Sequence, residues 1–338
     1  MTTRGFPLLH LPLLCIDCIL QQFEIVDTID FSTISKKCYR IVNFLPRPFK
    51  TANIEMRCDW LHILFKTENA VCGQISFDKR GLAFLFKQDK SFDWKNGPTK
   101  HIFKSADGDP EPTIRKMIPY LTSMFKCNIN RVLLFSDNLP SDSIPCFSIP
   151  GFTQCEILRI RGGSEISNVK LQCILEQITV KRELVLDVPT NIGFKLERGA
   201  DEIRCIFKAE WFSIDILKQL NPKSVALYDC HWSVNDCVQF ITHWFNSNNT
   251  TFESLELCFK TYPGDVNLEH LNTLPFCKTR RSEHALVVPR VAYKCINGLD
   301  ILRSDGLLAT VEMKDGHFLF YVFHERFSDV SKATIHDL

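Results

Sequence analysis

The sequence has no uninterrupted run of 18 apolar residues and no excess of either charge. A helix that crosses a membrane needs about 20 consecutive apolar residues, so we predict no spanning segment and no membrane partner. The 338 residues include 40 Lys and Arg against 39 Asp and Glu, and so balanced a chain does not gather nucleic acid by long-range attraction. With 45% hydrophobic residues, the chain is expected to fold into ordered, soluble domains.

The densest basic stretch begins at Lys278. It also contains Glu283 and an apolar centre. This composition favours a solvated face over a site for phosphate or lipid, and we predict a solvated face here.

Sequence motifs that bind phosphate or activate a nucleophile are missing as well. The chain has no Gly-x-Gly-x-x-Gly, P-loop or Gly-x-Ser-x-Gly sequence. Cys230, His231, Cys237 and His243 lie close in sequence, but Cys237 and His243 would face different directions on a helix. We therefore expect no catalytic residue, no metal and no cofactor. A third functional class, a small-molecule enzyme on an α/β domain, would be indicated by a ligand or metal bound in the concave face.

The fifteen cysteines are an odd number, and most stand singly inside apolar segments. This distribution is typical of reduced, buried thiols, which behave as small hydrophobic side chains. The apolar run that starts at Phe6 does not fit a signal peptide, because Pro7, Pro12 and Asp17 interrupt it and no small-residue cleavage site follows. We expect the protein in the cytoplasm or the nucleus.

The segment LPLLCIDCILQQF, residues 11–23, can be interpreted as a secretion signal, a Cys-x-x-Cys site or one face of a helix. Zinc would require a second close pair of ligands beside Cys15 and Cys18, and a redox pair normally opens a helix after a strand. The helical interpretation fits best, because four apolar residues recur at i, i+3, i+4 and i+7. These residues are Ile16, Ile19, Leu20 and Phe23. Both cysteines are then expected to be packing residues.

Two more short helices are predicted before residue 46. Asp27 can cap the second helix, and Pro46 with Pro48 ends the third. The third helix is indicated by the helical spacing of Ile34, Cys38, Ile41 and Leu45. Three short helices bury little surface by themselves, so this unit is expected to pack against a partner.

These N-terminal residues resemble an F-box, the three-helix module that joins a substrate receptor to the Skp adaptor of cullin-RING ubiquitin ligases. The resemblance rests on Leu11-Pro12, the apolar stripe that follows, the acidic turn at Asp27 and the sequence SKKCYRIV from Ser35. In that family the Leu-Pro pair and the first stripe contact the adaptor. The resemblance therefore implies that the adaptor-binding residues are Leu11, Pro12, Ile16, Ile19, Leu20 and Phe23.

After residue 50 the pattern changes to short β-like runs separated by turn signals. Residues 95–113 are rich in turn formers and charge, which predicts a loop or linker.

Between Arg131 and Phe259, apolar-x-apolar strands recur, with helical stripes between several of them. A capping box of Ser233 and Asp236 precedes one stripe. This alternation indicates an irregular leucine-rich-repeat-like arc, with a compact α/β domain as the alternative. Trp211, Trp232 and Trp244 are expected in the core.

The same region resembles the type 2 F-box-associated domain of a large nematode family. The residues that carry this resemblance are Trp211, Leu217 and Leu220, then KSVALYDC, SVNDCVQFITHWF and FESLELCF, and in the tail Arg303, Asp305, Gly306, Ala309 and Thr310. The tail also contains Asp-Gly turn signals that predict a hairpin at residues 314–316, and its strands are expected to cap the open end of the sheet.

Together these patterns predict a multidomain α/β protein with an F-box over residues 1–49, a β-rich segment and linker over 50–125, the arc over 126–275 and capping strands over 276–338. The resemblance implies a non-catalytic adaptor of a Skp-cullin-F-box ubiquitin ligase, which docks on the Skp adaptor, and through it on a cullin, and binds an unknown protein substrate. A protein-binding scaffold with a degenerate F-box is the alternative. It stays open because F-boxes commonly carry Glu or Asp shortly after Leu-Pro, where this chain has Leu13 to Ile16.

Overall fold

The chain forms two units in a computed structural model. Unit 1 comprises Met1–Leu158 and Glu176–Thr179, and unit 2 comprises Arg159–Leu175 and Val180–Leu338. Unit 1 therefore runs across the predicted boundaries at residues 49 and 125. The structure describes residues 8–23, 25–45, 51–56, 60–66, 71–78, 82–86, 101–104, 110–126, 128–138, 153–191, 193–206, 208–261, 263–264, 266–288, 291–314, 316–327, 329, 331 and 334–337.

Four helices belong to unit 1: α1 (Leu13–Leu20), α2 (Ile25–Ile34), α3 (Lys36–Phe44) and α4 (Pro110–Phe125). The three predicted N-terminal helices are present, but two of their predicted boundaries were wrong. Asp27 lies in the first turn of α2 rather than capping it. The Ser35 side chain caps α3 by accepting from the Cys38 amide at 3.1 Å, so Ile34 ends α2 and is 72% exposed.

Helix α4 was missed in the sequence, because residues 110–113 fall within the predicted linker. Pro110 and Pro112 suggested a loop, yet proline fits the first turn of a helix, where amides have no intrahelical partner. The helix supplies the intramolecular partner that the short N-terminal helices need. The Tyr120 hydroxyl hydrogen-bonds Ser32 at 2.6 Å, and the Tyr120 ring lies 5.2 Å from that of Tyr39. Buried residues of α4 include Ile118, Leu121, Met124 and Phe125.

Six strands lie wholly within unit 1: β1 (Thr51–Met56), β2 (Trp60–Lys66), β3 (Val71–Asp78), β4 (Leu82–Phe86), β5 (His101–Lys104) and β6 (Asn128–Phe135). Their order is β6-β1-β2-β3-β4-β5. The β1–β6 pair is parallel and the other pairs are antiparallel. The β-rich segment is confirmed, whereas β5 lies in the predicted linker.

The division between the units falls within β7 (Gln154–Arg161) and helix α5 (Asn168–Gln177). Unit 2 continues with β8 (Thr179–Asp187), β9 (Glu202–Cys205), β10 (Ser224–Cys230) and β11 (Ser254–Phe259), and pairs β8–β9, β9–β10 and β10–β11 are all parallel. The predicted strands and the α5 stripe are confirmed. Strand β9 lies between β8 and β10 in the chain and in the sheet.

Two helices of unit 2 lie side by side on one face of these strands: α6 (Ile214–Leu220) and α7 (Val234–Asn246). A small cavity of about 40 Å³ between them is lined by both helices. Phe240 of α7 packs on Phe320 with 5.2 Å between ring centroids, on the side of the sheet that Leu255 shares. The predicted capping box of Ser233 and Asp236 is present at the start of α7.

The three tryptophans predicted in the core are buried there. Trp211, Trp232 and Trp244 are exposed by 4%, 6% and 2%, and the Trp232 indole donates to the Phe212 carbonyl at 2.6 Å. The predicted burial of cysteine thiols is confirmed for several residues of unit 2, which include Cys205, Cys230, Cys237 and Cys295. In the part of the chain that the structure describes, no helix has the length and apolar character needed to cross a bilayer.

The C-terminal strands extend the sheet at β11. They are β12 (Leu274–Pro275), β15 (Leu299–Leu302), β16 (Leu308–Lys314) and β17 (His317–Phe323), while β13 (His284–Val288), β14 (Val291–Lys294) and β18 (Thr334–Asp337) form a separate small sheet. Strand β17 pairs antiparallel with β11, and β16, β15 and β12 follow it in the sheet. The β16–β17 pairing confirms the predicted hairpin, in which Gly316 adopts φ +82°, while Asp315 lies outside the described residues.

Arg303 attaches this C-terminal sheet to the end of α7. Its guanidinium donates to the carbonyls of Trp244 at 3.2 Å and Asn249 at 2.8 Å, and it lies 4.9 Å from the centre of the Trp244 ring. The same guanidinium pairs with Asp305, whose pKa it lowers to about 2.

The basic stretch from Lys278 is only in part the solvated face that we predicted, because Lys278 is exposed but Arg281 is not. Arg281 is fully buried, and its guanidinium donates to the equally buried Asp300 carboxylate at 2.7 Å and to the Cys295 carbonyl at 2.7 Å. The guanidinium also lies near the rings of Phe276 and Phe323. Composition could not distinguish an exposed arginine from a buried and paired one, because Asp300 and Cys295 are distant from Arg281 in the sequence.

We expect Arg281→Met to lower the free energy of unfolding of unit 2 by about 1 to 3 kcal/mol, because the buried Asp300 Oδ1 and the Cys295 carbonyl lose a donor, while Arg280 still pairs with Asp300 at 2.8 Å. Urea unfolding followed by tryptophan fluorescence measures this change. Lys278→Met is the matched control, because it removes the same charge from an exposed position and should change stability by less than about 0.5 kcal/mol. Equal stabilities for the two variants would contradict a structural role for Arg281.

Candidate functional site

Helix α1 exposes an apolar side to solvent. Leu13 is 45% exposed and Leu14 is 78% exposed, and Cys18 lies one turn after Leu14 on the same exposed side. Large exposed apolar groups that lie close together often mark an interaction surface. We call Leu13, Leu14 and Cys18 the α1 surface.

The structure divides the six residues predicted to contact the Skp adaptor into two groups. Ile16 and Leu20 are only 2% and 0% exposed, so both side chains lie inside unit 1. Pro12 is exposed, and the half-buried members are Leu11, Ile19 and Phe23. Phe23 packs edge-on against Phe31 with ring centroids 6.1 Å apart. Ile16 and Leu20 thus hold α1 in place from beneath, and adaptor contact at these positions stays a prediction.

The interpretation of Cys15 and Cys18 as packing residues was wrong. Both thiols are exposed. With Ile16 and Leu20 facing inward, Cys15 lies about 100° and Cys18 about 200° around the helix from Ile16, which directs both away from the interior. Ile16, Ile19 and Leu20 of the predicted stripe lie on α1, whereas Phe23 follows the end of the helix and the cysteines are not part of the inward side.

A second candidate site lies on the face of strands β9–β11 opposite α6 and α7. Residues there alternate with buried ones, and the pairing aligns Arg204, Ala226 and Glu256 in one row across the three strands. Small side chains in the lining are Ser224, Ala226 and Ser254, and larger ones are Glu202, Arg204, Tyr228, Glu256 and Tyr293. They enclose a pocket of about 180 Å³, which we call the strand-face pocket.

Glu256 joins two tyrosines at the strand-face pocket. Its Oε1 accepts hydrogen bonds from the Tyr228 hydroxyl at 3.2 Å and from the Tyr293 hydroxyl at 2.9 Å. Burial, and then the nearby Glu256 carboxylate, raise the pKa of Tyr228 to about 12, and the same causes raise the pKa of Tyr293. Both hydroxyls therefore stay protonated and act as donors near neutral pH.

The opposite wall of the pocket carries a partly compensated cluster of charges. The Arg204 guanidinium lies 3.3 Å from the Glu183 carboxylate and 3.7 Å from that of Glu202. Burial, followed by the like charge of Glu183, raises the pKa of Glu202. One arginine thus serves two carboxylates, and Glu202 gains from any further positive charge.

The four Cys and His residues that lie close in sequence between residues 230 and 243 do not form one cluster. Cys230 and Cys237 are buried, and burial raises the thiol pKa to about 11 and about 12, respectively. His231 points outward to pair with Glu210 at 3.1 Å, and His243 is exposed. Within the described ranges, no three His, Cys, Asp or Glu side chains are placed to hold a metal ion.

Sequence reasoning did not identify the strand-face pocket. A signal was available, because Glu202, Arg204, Ala226, Tyr228 and Glu256 alternate with apolar residues on predicted strands. Such alternation indicates one covered face and one available face. The alternation does not reveal which strands are neighbours. It also gives no indication of Tyr293, which lies on β14 and is distant from β9 and β10 in the sequence.

Glu256→Gln is expected to lower the pKa of Tyr228, while burial, the largest cause of the shift, keeps it above 10. Because the folded-state pKa is raised, the contribution of Tyr228 to stability is complete below pH 10 and is lost as the pH rises through about 12. NMR titration of ¹³C-labelled tyrosines measures the change. Glu269→Gln, at an exposed position, is the control. A Tyr228 titration that Glu256→Gln leaves unchanged would contradict the coupling.

Most residues of the strand-face pocket lie in a segment that is similar to a known protein family. A family model described as F-box associated matches residues 196–257, which contain β9, α6, β10, α7 and most of β11. The matched segment also supplies most of the lining of the strand-face pocket. The resemblance to F-box-associated domains is thereby supported for this part of unit 2.

Two Caenorhabditis elegans proteins are similar to the chain. "Uncharacterized protein F59B2.9" is 24% identical over 184 residues, which cover 52% of this chain and 43% of that protein. "Uncharacterized protein F59B2.8" is 22% identical over 361 residues, which cover 96% of this chain and 79% of that protein. The chain thus spans less than half the length of the first relative. No solved structure matches. Residues 196–257 of unit 2 are therefore similar to F-box-associated domains, and nearly the whole chain is similar to a nematode protein.

Proposed function

We propose that the protein is a non-catalytic substrate-recognition subunit of a Skp-cullin-F-box ubiquitin ligase. The observation that carries this proposal is the F-box-associated match over residues 196–257, in a chain whose N-terminus forms three short helices. Unit 2 holds the substrate, and the other subunits of the ligase perform the ubiquitin transfer. The proposed location is the cytoplasm or the nucleus.

The N-terminal helices dock on the Skp adaptor in this proposal, and through it on a cullin. The α1 surface exposes apolar side chains to solvent next to the exposed Pro12, and binding of the adaptor buries them. Burying one Leu side chain in such a contact contributes about 1.5 to 3 kcal/mol. Leu11, Ile19 and Phe23 complete the contact, while Ile16 and Leu20 keep α1 in position.

Unit 2 presents its substrate-binding face on parallel strands, as in the leucine-rich-repeat-like arc that the sequence suggests. Consecutive strands β8 to β11 are neighbours in the sheet, and α6 and α7 both cover the face that carries Leu255. Helices on one face leave the opposite face of the strands available for a protein ligand. The strand-face pocket lies on this available side.

A protein-binding scaffold that acts outside the ligase is the second candidate. The observation that favours it is the run from Leu13 to Ile16, which has no acidic side chain where F-boxes commonly have one. The two candidates share the role of unit 2 and differ in what the α1 surface binds. Adaptor binding therefore distinguishes them.

Titration of the full chain with the Skp adaptor tests the ligase role. We expect binding by the wild type, and at least tenfold weaker binding by Leu14→Asp, because this change places a charge on the 78% exposed position of the α1 surface. Val169→Asp is the matched control, since Val169 is an 82% exposed apolar residue on α5 and should not affect adaptor binding. Circular dichroism establishes that both variants are folded.

The adaptor titration has two outcomes that would change the proposal. No binding by the folded wild type would overturn the ligase role and favour the scaffold. Equal weakening by Leu14→Asp and Val169→Asp would place the adaptor contact elsewhere than on the α1 surface.

A further inference from the structure

The strand-face pocket is smaller than the usual sites for drug-sized ligands and large enough for a single side chain. Its volume of about 180 Å³ compares with roughly 300 to 1,000 Å³ for sites that enclose drug-sized ligands. Ala226 lies between Arg204 and Glu256 in the pairing, and its short side chain leaves the depression between them. The pocket therefore fits one projecting group of a larger ligand.

The charges around the pocket favour a positively charged group. Two carboxylates, those of Glu202 and Glu256, line the pocket with one guanidinium, that of Arg204, which also pairs with Glu183. Arg182 and Lys223 act on Glu202 from outside the lining. Glu202 is held among like charges in a partly desolvated position, which makes its ionised form costly. A cation brought into the pocket would relieve this cost.

Glu256 offers a second acceptor at the pocket. The residue is only 9% exposed, and both tyrosine hydroxyls bind the same oxygen, Oε1. Its other oxygen, Oε2, is not one of the buried polar atoms that lack a partner. Because a carboxyl group has acceptor capacity on both oxygens, Glu256 can accept a further hydrogen bond from a ligand in the pocket.

The tyrosines add an aromatic lining beside these carboxylates. Tyr228 and Tyr293 both contribute to the wall of the pocket. Aromatic rings attract cations that come within about 6 Å of the ring centre, and a partly buried site strengthens this attraction. Carboxylates combined with tyrosines thus suit an ammonium or guanidinium group better than a neutral amide or an anion.

We propose that the strand-face pocket receives a lysine or arginine side chain of the protein that unit 2 binds. This inference rests on the proposed substrate-recognition function and specifies the chemistry of the substrate, which is a protein with an exposed basic residue. Glu202 and Glu256 accept hydrogen bonds from the basic group, while Tyr228 and Tyr293 hold Glu256 in place.

Titration of the full chain with short peptides tests the pocket directly. The probes are N-acetyl-Gly-Arg-Gly-amide, its Lys analogue and its Gln analogue, and the signals are the ring resonances of ¹³C-labelled tyrosines. We expect the Arg or the Lys peptide to shift the Tyr228 and Tyr293 signals and to bind at least tenfold more tightly than the Gln peptide. Equal affinity for all three peptides, or shifts confined to other tyrosines, would overturn the inference.

Variants of the pocket separate charge from shape. Glu202→Gln and Glu256→Gln each remove one carboxylate, and Ala226→Leu fills the depression without a change of charge; each should weaken binding of the basic peptide at least tenfold. In Glu256→Gln the side-chain amide retains an oxygen that can accept from the tyrosines, which protects the fold. Glu269→Gln removes the same charge from an exposed position and should bind like the wild type. Wild-type affinity in all three pocket variants would contradict the proposal.

Adaptor binding and peptide binding test the ligase role and the pocket separately. Glu202→Gln should bind the Skp adaptor as the wild type does, because Glu202 lies in unit 2 and the α1 surface lies in unit 1. A chain that binds the basic peptide but not the adaptor would support the pocket and overturn the ligase role. A chain that binds the adaptor but no basic peptide would support the ligase role and overturn the pocket.

Discussion

The fully buried ion pair between Arg281 and Asp300 organises the C-terminal part of unit 2. Arg281 also donates to the Cys295 carbonyl, two residues after Tyr293. A buried guanidinium must satisfy its donors inside the protein, so the segment that carries Cys295 stays at this position. Through that segment, the ion pair determines where Tyr293 meets Glu256. The chemistry of the strand-face pocket therefore depends on an interaction outside it.

The parallel strands of unit 2 have two faces with different roles. Apolar residues such as Leu255 face the helices, and their burial stabilises the domain. Residues on the other face, such as Arg204 and Glu256, are spared from the core and can be polar. Pairing then brings residues from three strands into one row. This separation of packing from recognition suits a domain that binds proteins.

The N-terminal unit illustrates what periodicity can and cannot predict. Helical spacing correctly placed Ile16 and Leu20 on an inward stripe of α1. It did not reveal that α4, far along the chain, supplies Tyr120 to pack on α2 and α3. The prolines of α4 suggested a loop, because a local pattern does not distinguish a turn from the first turn of a helix.

The sequence by itself determined the alternation of strands and helices in unit 2, the capping box at Ser233, the burial of Trp244 and the C-terminal hairpin of β16 and β17. These features depend on local spacing and on turn residues, which a single sequence displays. Only the tertiary structure decided that Arg281 is buried and that Tyr228 and Tyr293 converge on Glu256. Both depend on contacts between residues distant in the chain, and local patterns contain no information about which distant residues meet.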